Sequence, residues 1–299
     1  MIGNRRLDKE SLKNIVRQAL AEDVGSGDAT TLAVVPEELR ITALLSPREP
    51  CTVAGLPLVA TVYGELDLDI VIESSIGDGD RCRAGDVIAV LSGPARSILT
   101  GERLALNFLQ RMSGIATMTR NFVDALANSA TRLLDTRKTT PGLRMLEKYA
   151  VAAGGGTNHR QGLYDMIMIK DNHRYVASLT GSGGIARAIR TCRQKRPDLK
   201  VEVETDNIDQ VREALAAKPD CILLDNMTNA EMTEAVALRD RIYAQGLLEA
   251  SGNITLERLP KIAEIGLDYV SVGALTHSAR AIDIGMDVER SMGYPETPQ

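Results

Sequence analysis

The sequence predicts an α/β protein of two parts, a small mixed α+β domain followed by a parallel α/β barrel. Three observations carry this prediction. Up to about residue 130, short strand-like runs are cut by Gly/Asp turns. Beyond it, six short apolar runs alternate with amphipathic helical segments, the pattern of a parallel sheet with helices outside. No GxGxxG opens the first of these units, which favours a barrel over an open dinucleotide-binding sheet.

The elements follow in order. Leu12, Ile15, Val16, Ala19 and Leu20 recur at helical spacing and predict a helix over 11–22. Strands are expected at 41–45, 66–72 and 87–91, separated by turns such as Gly77-Asp78-Gly79-Asp80 and Ala84-Gly85-Asp86. A long helix is expected over 95–128, with Ser113-Gly114 as the point where it could break. The six later strands are Arg132–Asp135, Met166–Ile169, Val201–Glu204, Cys221–Leu224, Leu247–Ala250 and Tyr269–Val272. Helical segments at 184–194, 208–216 and 230–243 lie between them.

Composition narrows the function. Over 299 residues, 35 Lys+Arg against 40 Asp+Glu leave a net charge of −5, so no basic face is supplied for nucleic acid. Two Phe, seven Tyr and no Trp supply stacking platforms for single strands poorly. No apolar run reaches the ~18 residues a membrane helix needs. Cys51, Cys82, Cys192 and Cys221 form no CxxC pair, which fits a reducing compartment. The amino terminus has two arginines but no apolar segment of a signal peptide, so a cytoplasmic protein is expected.

Polar residues gather where the six apolar runs end. The first ends in Asp135 to Gly142, with Arg137 and Lys138; the second in Lys170-Asp171-Asn172-His173. The third ends in Glu204, the fourth in Asp225-Asn226, the fifth in Ser251-Gly252-Asn253 and the sixth in Gly273-Ala274. Parallel barrels build their sites at these strand ends. A Gly154-Gly155-Gly156 loop before the second run presents His159 and Arg160. So many cations on an acidic protein imply an anionic ligand, a carboxylate or phosphate. Glu204 and Asp225 would repel such a ligand unless a divalent metal such as Mg²⁺ stood between. Backbone N–H groups near the last two strand ends suit a phosphate. On residues alone, a Schiff-base aldolase using Lys138 or Lys170 is an alternative, as is an anion-binding protein without catalysis.

The chain resembles the quinolinate phosphoribosyltransferases. The carrying stretches are Glu22 to Thr30, Thr100 to Asn107, Ser113 to Thr117, Asp135 to Gly142, Gly154 to Leu163, Lys170 to His173, Val201 to Glu204, Leu224 to Asn226, Ser251 to Asn253 and Ser271 to Thr276. They cover almost the whole chain in the family's order. One departure is Ala152-Ala153, where many members carry a cysteine. The resemblance implies an N-terminal α/β sandwich (residues 1–112 and 279–299) and an incomplete, seven-stranded parallel α/β barrel (113–278). Only six strands are found in the barrel stretch, so one is unlocated.

The resemblance further implies a Mg²⁺-dependent transfer of phosphoribosyl from phosphoribosyl pyrophosphate to quinolinate with loss of CO₂. The product is nicotinate mononucleotide, on the de novo route to NAD. It implies a homodimer with shared sites, in which the partner contributes the residue equivalent to Arg103. The quinolinate carboxylates would meet Arg137, His159, Arg160 and Lys170. Lys138, Lys170, Glu204 and Asp225 would surround the phosphoribosyl pyrophosphate, the two acids through metal or ribose hydroxyls. Ser251, Gly252, Asn253, Gly273 and Ala274 would face its 5′-phosphate.

Overall fold

The computed structural model describes residues 7–127, 129–179 and 184–289. Asn128, the expected end of the long helix, lies outside them, as do residues 1–6 and 290–299 of the expected first domain. The chain forms two compact units, residues 7–117 with 279–289, and residues 118–278.

The first unit opens with helix α1 (Lys9–Asp23), whose Asp8 cap accepts from Ser11 N at 2.9 Å. Helix α2 (Ala29–Val34) is capped by Asp28 in the same way. Then come β1 (Arg40–Pro47), β2 (Cys51–Thr52), helix α3 (Leu56–Leu66), β3 (Val71–Glu73), β4 (Arg81–Cys82) and β5 (Ala89–Pro94). The strand expected at 66–72 is largely wrong. Leu66 ends α3, which starts at Pro57 in its first turn and buries Leu58, Val59, Val62 and Tyr63 on one face. Asp67 then turns back to accept from Asp69 N, and the strand begins only at Val71.

Helix α4 (Ala95–Ala125) is continuous, so the expected break at Ser113-Gly114 does not occur. Those residues answer to their neighbours instead. Ser113 Oγ accepts from Ala54 N at 3.1 Å and Thr117 Oγ1 from Thr52 N at 2.8 Å, which satisfies the backbone around β2. A Cβ on Gly114 would lie 1.9 Å from the Arg280 carbonyl oxygen. Glycine costs about 1 kcal/mol in a helix, but only glycine lets that chain pass.

The second unit continues with β6 (Arg132–Leu134), α5 (Arg144–Ala153), β7 (Ile167–Ile169), α6 (Asp171–Ser178), α7 (Ile185–Lys195) and β8 (Val201–Thr205). It ends with α8 (Ile208–Ala217), β9 (Cys221–Asp225), α9 (Asn229–Ile242), β10 (Leu247–Ser251), α10 (Leu259–Ala263), β11 (Tyr269–Ser271) and α11 (Ala274–His277). The six strands form one parallel sheet in the order β6-β11-β10-β9-β8-β7. In register, Glu204, Leu223, Glu249 and Tyr269 share one row, and Asp225 and Ser251 share another. Their side chains therefore point to one face.

The seventh strand is a single residue. Thr157 makes a parallel bridge to Leu134 on the free edge of β6, donating to Leu133 O at 2.8 Å and accepting from Asp135 N at 3.2 Å. Three residues on, Arg160 Nη1 donates to Met166 O at the start of β7. Residues 157–160 thus link the two edge strands. One residue of strand has no periodicity to detect. The last element, β12 (Ile284–Val288), belongs to the first unit and pairs antiparallel with β1, completing a sheet β12-β1-β5-β3.

Candidate active site

The carboxyl ends of the six parallel strands surround a cavity of about 820 Å³. Of the residues singled out in the sequence, Arg137, Lys138, His159, Arg160 and Lys170 line it, with Glu204 and Asp225. Ser251, Gly252, Asn253, Gly273 and Ala274 line it too. Arg103 does not: it is an exposed residue of α4 in the first unit.

The cavity has distinct ends. At one, Lys170 Nζ pairs with the Glu204 carboxylate, whose other oxygen accepts from Asp171 N at 3.4 Å. Carboxylate oxygens of Glu204, Asp206 and Asp225 lie within 4.8 Å of one another. Burial, then the neighbouring Glu204, pushes the Asp225 carboxyl above its ordinary range. Such a set of oxygens on one side only suits a hard divalent ion that shares its remaining sites with water and substrate.

At the second end, Asn226 N donates to Ser251 O at 2.9 Å and Asn253 Nδ2 to Asn226 Oδ1 at 3.0 Å. Gly252 lies between them at φ +86, and a Cβ there would stand 2.2 Å from Asn226 Oδ1. Nothing but glycine fits. Beside this loop, the stem of Lys138 packs close to Gly273 and His277. Arg160 is buried, with Nη1 on Met166 O and Nη2 3.6 Å from Met168 Sδ. Burial, and then Arg137, lowers its pKa.

Two domain families match the chain. The N-terminal domain of quinolinate phosphoribosyl transferase matches residues 28–113, and the C-terminal domain matches 115–287. A probable nicotinate-nucleotide pyrophosphorylase (carboxylating) of Synechocystis is 43% identical, with 92% of each chain covered. The nicotinate-nucleotide pyrophosphorylase (carboxylating) of Mycobacterium leprae is also 43% identical, over 93% of this chain and 98% of its own. The solved structure of the Francisella tularensis nicotinate-nucleotide pyrophosphorylase superposes with a TM-score of 0.89 at 38% identity, covering 97% of this chain and 100% of that one. The chain belongs to the quinolinate phosphoribosyltransferase family.

Several residues around this quinolinate phosphoribosyltransferase cavity were not singled out in the sequence. Asp135 is fully buried and pairs with Lys148 of α5. It also accepts from Asn158 Nδ2 at 2.7 Å and His159 N at 2.8 Å, while Lys148 Nζ donates to His159 O at 3.1 Å. Burial pushes Asp135 up and Lys148 down, and their mutual attraction opposes both shifts. This network fixes residues 158–160 against β6. His173, by contrast, was expected among the site's cations; its Nδ1 accepts from Lys170 N at 2.9 Å and caps α6, and it does not line the cavity.

His159 is placed differently from the open carboxylate clamp that the resemblance implies. Its Nδ1 accepts from Arg160 N at 2.7 Å, which puts the ring proton on Nε2. Nε2 lies 3.0 Å from Glu202 and 3.4 Å from Glu249, an ionic contact without hydrogen-bond alignment. Burial opposes charge on His159, but Glu249 and Glu202 outweigh it and raise the imidazole to about 10. Burial, then Glu249, pushes Glu202 up to about 7. The trio therefore keeps an extra proton near neutral pH. A glutamate pointing inward from a buried parallel strand, as in Val201-Glu202-Val203 and Leu248-Glu249-Ala250, was the available signal. His277 also lines the cavity, its Nδ1 2.7 Å from Ser278 Oγ.

Proposed function

We infer that this chain transfers the phosphoribosyl group of phosphoribosyl pyrophosphate to quinolinate and removes one carboxylate as CO₂. The products are nicotinate mononucleotide and pyrophosphate, in de novo NAD synthesis. One observation carries the reading: four cations, Arg137, Lys138, Arg160 and Lys170, share a single cavity with the acids Glu204 and Asp225, which Asp206 adjoins. A dicarboxylate and a diphosphate are the anions that need both. An assay for quinolinate-dependent release of pyrophosphate and CO₂ tests it; borohydride trapping of a covalent adduct would favour the aldolase instead.

The residues then divide the work. Arg137, Arg160 and Lys170 hold the carboxylates and align the pyridine nitrogen with the anomeric carbon. Lys138 neutralises the leaving pyrophosphate, and Glu204 or Asp225 stabilises positive charge on the sugar. Ser251-Gly252-Asn253 and Gly273-Ala274 receive the 5′-phosphate through backbone N–H groups. Once the pyridine nitrogen is alkylated, its positive charge accepts the electron pair left when CO₂ departs. The oxygen donors of Glu204, Asp206 and Asp225 fit Mg²⁺. Bound there, it would neutralise diphosphate charge.

The reading includes a homodimer in which Arg103 acts in the partner's site, and a cytoplasmic location. No helix among the described residues is long and apolar enough to cross a membrane, and the four cysteines are free. Arg103→Ala and Lys138→Ala homodimers are each expected to be nearly inactive. Co-refolded at equal amounts, they should recover roughly a quarter of wild-type activity, since about half the dimers are mixed and each has one intact site. No recovery from proven mixed dimers would place Arg103 in its own chain's function.

A further inference from the structure

Loss of CO₂ leaves an electron pair on C2 of the pyridine ring, and the product carries hydrogen there. Some group must deliver that proton. Most of the cavity is unsuited to the task. Lys170 is engaged by Glu204, and the Glu204–Asp206–Asp225 oxygens are clustered as a divalent cation would need them. Lys138 and His277 stand together at the Gly273 end. The guanidiniums of Arg137 and Arg160 hold their protons too firmly.

The floor differs. Glu249 and His159 both line the cavity and are almost wholly buried, at 1% and 4% exposure. Neither oxygen of Glu249 has a hydrogen-bond partner, and Oε2 lies 3.4 Å from His159 Nε2. That Oε2 stands where it can take the His159 proton. His159 is anchored from behind by Arg160 N and by the Asp135–Lys148 network.

We propose that Glu249, supplied by His159, is the acid that protonates C2 as CO₂ leaves. The C2–carboxylate bond breaks and its electron pair stays on C2, beside the positive ring nitrogen. Glu249 Oε2 takes the His159 Nε2 proton as it hands one to C2, which leaves Glu249 a carboxylate and His159 neutral. Water entering the cavity restores the His159 proton after product leaves. No oxidant, reductant or further reactant is needed. Without the acid, the C2 anion persists and recaptures CO₂, so net decarboxylation slows.

This inference rests on the proposed reaction and fails separately from it. In a rapid-quench single turnover, quinolinate labelled in the C2 carboxylate reports CO₂, and labelled phosphoribosyl pyrophosphate reports pyrophosphate. If the wild-type protein releases no pyrophosphate, the proposed reaction is wrong. In Glu249→Gln, pyrophosphate should appear at near wild-type rate while CO₂ falls about 10²-fold, the usual scale for a lost general acid. The carboxylated mononucleotide should accumulate meanwhile. Glu249→Asp keeps an acid one methylene further away and should regain part of the CO₂ rate. Equal slowing of both products, or CO₂ at the wild-type rate, would overturn the proposal. If Glu249→Gln does not fold, the wild-type protein decides: CO₂ release, and not pyrophosphate release, should slow in D₂O, and a CO₂ step indifferent to D₂O overturns it.

Discussion

Two lysine–carboxylate pairs sit near the ends of neighbouring barrel elements, and they do opposite things. Lys148–Asp135 is sealed, with the two side chains 2% and 0% exposed. Lys170–Glu204 opens on the cavity, its lysine 44% exposed. Every partner of the first pair is internal, Asn158 and the His159 backbone included. The second has room for substrate or metal to replace either partner. The same two charges thus build a rigid wall in one place and an exchangeable site in the other. Burial and the supply of internal partners make the difference.

The comparison breaks most visibly on the sealed side. Asp135→Ala would leave the Lys148 ammonium buried without its counter-charge and would strip an acceptor from Asn158 and His159 N. Removing one partner of a buried pair costs about 3–5 kcal/mol, read as a lower urea midpoint at unchanged slope. Replacing both partners with apolar residues, Asp135→Leu with Lys148→Met, should recover only the part due to the uncompensated ammonium, since Asn158 Nδ2 and His159 N still lack that acceptor. A loss below about 1 kcal/mol for Asp135→Ala would mean that the pair is not sealed in solution.

The open side should give the reverse. Lys170→Ala is expected to change stability by less than about 1 kcal/mol, because a half-exposed ion pair contributes little. Turnover should fall by ~10²–10³, the usual result of removing one preorganised charge-stabilising group. Calorimetry on quinolinate and phosphoribosyl pyrophosphate separately would show which ligand loses its contact. A fall in stability matching that of Asp135→Ala would erase the distinction between the two pairs.

Most of the barrel could be read from the chain because its strands are largely apolar runs of three to five residues that stop at charged, polar or glycine residues. The open site could be read for the same reason: Lys170, Glu204 and Asp225 stand where apolar periodicity ends. The sealed network could not. Lys148 lies inside an amphipathic helix, where lysine is usually solvated, and only the fold turns it toward Asp135. Thr157 makes a one-residue strand. The helix over 56–66 was missed because Leu66 to Ile72 alternates enough to resemble a strand, while the Pro57 start signal went unused. Glu202 and Glu249 were absorbed into apolar strands, although a charge inside such a strand is itself informative.

The His159–Glu202–Glu249 trio shares features of both pairs, being buried like the first and lining the cavity like the second. Its effect on stability should be smaller and visible as a pH dependence. Glu202 is raised from 4.5 to about 7 in the folded protein, so between those values the folded state binds the more protons. Its contribution to stability is fully present below pH 4.5 and is lost as pH rises through 7. His159, raised from 6.5 to about 10, contributes fully below pH 6.5 and loses that contribution as pH rises through 10. Both groups therefore make the protein less stable toward alkaline pH. Glu202→Gln keeps the shape but cannot ionise, so the decline between about pH 4.5 and 7 should flatten. The same change removes one of the anions that raise His159, so the later decline should still begin near pH 6.5 but end at lower pH. Urea midpoints measured across this range on wild type and Glu202→Gln would decide it. An unchanged slope in the variant would mean that Glu202 is already ionised in the folded protein and that the trio holds no extra proton.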